Sequence, residues 1–152
     1  MDLMKMISAR DRRMAAVHEA GHLVMAARFG LYPSSAWITP IEGPAGPDER
    51  TWVGLVQFLT GLDRLAPIER RMLGCAGAVA QICWQRDYLD PDYWTDANMM
   101  SASDWRLSGC EPGKPDDSCI EAIEKLHYLL SDGGPLWSDL VREARRLIVA
   151  SR

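Results

Sequence analysis

Apolar residues recur along the chain at two different periods, and the periods lay out the elements. Between Ser8 and Phe29, Met14, Val17, Gly21, Val24 and Met25 fall at helical spacing. The pattern predicts a long helix, with Ser8 as its cap, Asp11 three residues on, and Gly30 as its stop. Two β-type runs follow, Ala36 to Ile41 and Thr51 to Phe58, separated by the turn-rich EGPAGPDER. Pro40 places the first run at a sheet edge, since it has no N–H to give a ladder.

A second long helix is predicted from Ala66 to Arg86, with Pro67 in its first turn. Its centre, GCAGAVA, is small enough for another helix to come close. Asp87 to Ser101 reads as a loop. Ser101, with Asp104 three residues later, opens a further helix. Two more are expected, from Asp117 to Leu130 and from Pro135 to Ala150. The sum is an α+β chain, mainly α, with a small antiparallel hairpin.

Composition narrows the class. The 152 residues suit a single domain able to bury its own core, with 47% hydrophobic and 25% charged residues. A net charge of −4 and scattered basic residues argue against nucleic acid or an anionic membrane as partner. The start turns charged at once, unlike a signal peptide. The longest near-apolar run, Met72 to Trp84, is too short to span a bilayer. A cytoplasmic protein is expected. Its cysteines, 75, 83, 110 and 119, then read as buried thiols. None forms a CxxC pair, so a cysteine zinc knuckle is not expected.

His18-Glu-Ala-Gly-His22 is the stretch that carries chemistry. Residues four apart share a helix face, so both imidazoles can reach one zinc ion. Glu19 is placed to act as general base toward a zinc-activated water. Gly21 costs about 1 kcal/mol relative to alanine in mid-helix, which implies a neighbouring backbone pressed close. A catalytic zinc needs a third protein ligand and an open position. His127 is the only other histidine, the carboxylates are many, and spacing alone does not choose among them. Trp105 reads as core, as do Cys75 and Cys83. Trp37 and Trp52 read as cross-strand core partners on the hairpin, and Asp48 and Glu49 as a solvated acidic loop.

HEAGH, within AAVHEAGHLVMAARFG, resembles the peptidase domain of the FtsH family of AAA metalloproteases. Cys75-Ala-Gly-Ala-Val-Ala-Gln81 stands where that family has its GGRxAEE helix, with Gln81 and Ile82 in place of the acids. Met100-Ser-Ala-Ser-Asp104 stands where the GASNDxxxA segment falls, and Trp52-Val-Gly54-Leu55 is similar to the family's ALG strand. The order is preserved from Arg12 to Trp105. No Walker-type GxxxxGK[ST] is present, so the resemblance is to the peptidase part alone.

What the resemblance implies is a zinc metallopeptidase with His18, His22 and Asp104 as ligands and Glu19 as base. The expected substrate is a peptide or an unfolded protein, with the strand around Thr51 to Phe58, or its hairpin partner, offering it an edge near the metal. Self-association into a homo-oligomer stays open. Two other readings compete: a non-catalytic binding module that keeps the metal as a support, and a zinc hydrolase of a small amide.

Overall fold

The computed structural model describes residues 2–42, 50–85 and 100–151. Five α-helices and a two-stranded antiparallel sheet make it α+β and mainly α. In chain order these are α1 (Leu3–Arg28), β1 (Ser35–Pro40), β2 (Trp52–Gln57), α2 (Pro67–Gln85), α3 (Ala102–Ser108), α4 (Asp117–Leu130) and α5 (Trp137–Ala150), with a short 3-10 turn at Leu62–Arg64. The expected acidic connection at Asp48 and Glu49, Arg86, and most of the loop after it lie outside the described residues.

The first helix starts earlier than the sequence pattern predicts. Asp2 caps it, its carboxylate accepting from the Met4 N–H at 3.0 Å. Ser8 lies inside the helix, and its hydroxyl accepts instead from the Trp52 indole N–H at 3.0 Å. Asp11 likewise closes no capping box. Its carboxylate accepts from both the N–H and the hydroxyl of Thr51, each at 2.8 Å. Residues that read as a local start signal are thus spent on long-range contacts between α1 and β2.

A single apolar cluster joins the helices, with Val17, Met25, Leu73, Val79, Leu126 and Leu140 buried in it. α2 runs through the centre and touches α1, α3 and α4. Its small residues make those approaches possible. A Cβ on Gly21 would lie 2.5 Å from the Ala76 carbonyl oxygen, and one on Gly74 2.4 Å from the Ser108 nitrogen. The expected close backbone at Gly21 is therefore α2. Trp105 is 3% exposed, and Cys75 and Cys83 are buried, as expected of core residues.

The hairpin register corrects the tryptophan pairing. Trp37 lies opposite Leu55, and Trp52 opposite Pro40. Every pair in this register joins two even or two odd positions, so Trp37 and Trp52 fall on opposite faces. Ile38 and Val56 point into the core, whereas Trp37 is 43% exposed. Trp52 packs beneath the Arg12 guanidinium, 5.2 Å from its ring centre. Pro40 sits in the edge position its chemistry requires. Among the described residues, no helix is long and apolar enough to cross a membrane.

Candidate metal centre

Three elements meet at one point. α1 supplies His18, Glu19 and His22, α2 passes beneath the imidazoles, and α3 brings Asp104. The imidazoles come close to α2 because Gly77 carries no side chain. A Cβ there would lie 2.5 Å from His18 Nε2 and 2.7 Å from His22 Nε2. Asp104 is held by a capping box at the start of α3. Its N–H donates to the Ser101 hydroxyl at 3.2 Å, and its Oδ2 accepts from the Ser101 N–H at 3.1 Å.

The carboxylate then bridges the two rings. His18 Nε2 lies 3.0 Å from Asp104 Oδ2, and His22 Nε2 lies 2.9 Å from Asp104 Oδ1. Ligand atoms of all three fall within 4.8 Å of one another. The far nitrogens are also engaged: His22 Nδ1 donates to the Leu73 carbonyl at 2.8 Å, and His18 Nδ1 lies 2.6 Å from Gln81 Oε1. This is the outer-shell arrangement that orients metal-ligating histidines.

The tautomers follow from the acceptors. A carbonyl oxygen can only accept, so His22 Nδ1 carries a proton. In the neutral ring, Nε2 then presents a lone pair to a carboxylate lone pair at 2.9 Å. That contact is repulsive unless a proton or a cation lies within it. Two imidazole nitrogens and a carboxylate aimed at one point fit a divalent transition metal by donor type and number.

Without a metal, protons take the cation's place. Burial lowers the pKa of His22, but the hydrogen-bonded and oppositely charged Asp104 overrides it, raising the value to about 9. His18 is raised for the same reasons, against its own burial. Burial raises the Asp104 carboxyl, and the two histidines more than reverse this, holding it far below the usual carboxylate range. The His22 contribution to stability is present below its ordinary 6.5 and is lost as pH rises through about 9. The Asp104 contribution belongs to the same contact and is lost at the other end, as pH falls below 3.8. Metal-free protein should therefore melt at a lower temperature at about pH 9.5 than at about pH 6.5. Thermal denaturation after metal stripping measures this. An apo protein that gains stability over that range would contradict a protonated His22–Asp104 contact.

Glu19 lines, together with His18 and Asp104, a cleft of about 470 Å³. Asp11, Met14, Arg50, Trp52, Val53, Gly54 and the segment from Met100 to Asp104 line it with the site residues. The glutamate is 7% exposed, and no hydrogen-bond donor among the described residues reaches its carboxylate. Burial raises its pKa, while His22 and His18 pull it back. Gly54 of β2 makes room for it: a Cβ there would lie 2.4 Å from Glu19 Cγ. The hairpin therefore stands at the site.

His127 takes no part. It lies near the end of α4, where its carbonyl oxygen accepts from the Ser131 hydroxyl. Sequence reasoning missed Gln81 and the Leu73 carbonyl, the two outer-shell partners. Gln81 carried a usable signal, since it lies four residues after Gly77 on the small-residue helix. A main-chain carbonyl carries none. No family model matches the chain, and no curated protein matches it.

Proposed function

We propose that the chain is a zinc-dependent metallopeptidase in which His18, His22 and Asp104 hold the metal and Glu19 is the general base. The observation that supports this most directly is the pair of Nε2–carboxylate contacts, 3.0 and 2.9 Å, beside a buried glutamate that has no hydrogen-bond donor among the described residues. A purely supporting site has no use for such a glutamate, because a buried carboxylate without a partner costs stability. Placement of the chain with the peptidase domains of the FtsH family belongs to the same proposal and rests on the residues that carry the resemblance.

Zinc, when bound, supplies Lewis acidity, which acidifies water and polarises a carbonyl. The rest falls to the chain's own groups. Glu19 takes a proton from water at the cleft floor and delivers it to the departing amine. Its burial, by raising its pKa, makes it a better base at neutral pH than a solvated glutamate. Gln81 and Leu73 hold the ring orientations, so the ligands need little reorganisation.

The hairpin suits an extended peptide. The Ile41 N–H donates to the Thr51 carbonyl, so the odd-numbered pairs of the register exchange the ladder bonds. Main-chain groups of Trp52, Gly54 and Val56 therefore point away from β1. A peptide adding along this edge would be held by its main chain, independent of its sequence.

Incubation of zinc-loaded protein with unfolded casein and a peptide library tests the reading. Cleavage is expected, ending on chelation and returning with added zinc. Fully loaded protein that cleaves neither would set the peptidase reading aside.

A further inference from the structure

A second set of metal-ligating side chains lies where α2, the end of α3 and the start of α4 meet. Cys110 Sγ and Cys119 Sγ are 3.3 Å apart, though nine residues separate them. The Asp116 carboxylate joins them, with all three ligand atoms within 4.8 Å of one another. Cys75, buried on α2 nearby, lies outside this group and donates to Met100 Sδ at 3.9 Å. The absence of a CxxC pair hid this group, because the fold, not the spacing, assembles it.

We propose that Cys110, Cys119 and Asp116 form a site for a thiophilic divalent cation such as zinc. Two sulfurs and a carboxylate oxygen are donors that zinc takes in protein sites. The thiols also suit a thiophilic ion better than magnesium or calcium.

The surroundings support the ligands. Asp116 Oδ2 accepts from Arg71 Nη2 at 2.9 Å, and Oδ1 accepts from the Cys119 N–H at 3.0 Å. Arg71 Nη1 donates to the Ser108 carbonyl at 2.7 Å. The guanidinium thereby braces the carboxylate and offsets part of the excess negative charge of two thiolates and a carboxylate. Cys110 is fixed through its N–H, which donates to the Ser108 hydroxyl at 3.1 Å. Cys119 sits in the first turn of α4, where unpaired N–H groups favour an anionic sulfur. On loading, the thiol protons pass to solvent as the sulfurs ligate.

This site is independent of the cleft chemistry. It would clamp the segment just after α3, the helix that carries Asp104, to the start of α4.

Cobalt titration of the full chain, stripped of metal and kept in a non-thiol reductant, provides the test. The wild type should take up two ions, one of them giving the charge-transfer absorption of thiolate-bound cobalt. His22→Ala should keep that absorption. Cys110→Ser, at a half-buried position, should keep its helical circular dichroism and lose affinity at the thiol site by at least about tenfold. Wild-type protein that binds cobalt without thiolate absorption overturns the proposal. So does a folded Cys110→Ser variant with unchanged affinity. Reduced protein that binds no metal through sulfur, yet forms a Cys110–Cys119 disulfide in air, assigns the pair to redox chemistry and equally overturns it.

Discussion

Replacement of Asp104 with alanine is expected to weaken zinc binding by at least about 100-fold, while His127→Ala leaves it unchanged. Asp104 touches both imidazoles, at 3.0 and 2.9 Å, and contributes the only carboxylate in the group. Without it, two neutral nitrogens hold the ion, and water supplies the remaining positions. His127 is half-buried near the end of α4, and its loss changes packing only. Asp104 also accepts from the Ser101 N–H, so the alanine variant loses the reciprocal half of the capping box as well. Asp104→Asn separates the two effects. An asparagine oxygen keeps the cap but binds zinc poorly, so the asparagine variant should fold normally and still lose affinity. Titration against a competing chelator reads all three variants. A large loss in His127→Ala, with Asp104→Ala near wild type, would reverse the ligand assignment.

Glu19→Gln is expected to lower the cleavage rate by about 10²- to 10⁴-fold while metal content stays the same. The amide matches the carboxylate in shape, so the contact between the side-chain stem and Gly54 persists. Only the ability to accept a proton is lost. Glu19 does not belong to the three-residue ligand group, which is why metal retention and activity should separate. Parallel measurement of zinc content and cleavage rate on one preparation is decisive. Wild-type turnover in the glutamine variant would remove Glu19 from the mechanism, and loss of metal along with activity would make it a ligand instead.

Local signals in the sequence carried the parts of the site that are local. The i, i+4 spacing of His18 and His22 needs only a helix. The Ser101–Asp104 capping box needs only one helical turn, and Gly21 announces a close neighbour by its cost alone. Non-local features were not legible in the same way. That Asp104 reaches His18, 86 residues away, depends on how α3 docks on α2. Residue pattern left the third ligand open, and the family resemblance alone named it. Trp37 and Trp52 looked alike as hairpin tryptophans, yet strand register, a property of the pair, sent them to opposite faces. Ser8 and Asp11 made a plausible helix start, and their true partners on β2 lie some forty residues on.

Those same α1 contacts have a mechanical meaning. Among these contacts, two set a span along β2 and the residue before it: Asp11 grips Thr51, and Glu19 seats against Gly54. Eight helical residues advance about 12 Å, and three strand residues about 10 Å, so the two spans nearly match. One rigid rod thus gauges the gap between Glu19 and β2. The spacing of β2 along α1 at this end of the cleft therefore follows helical pitch.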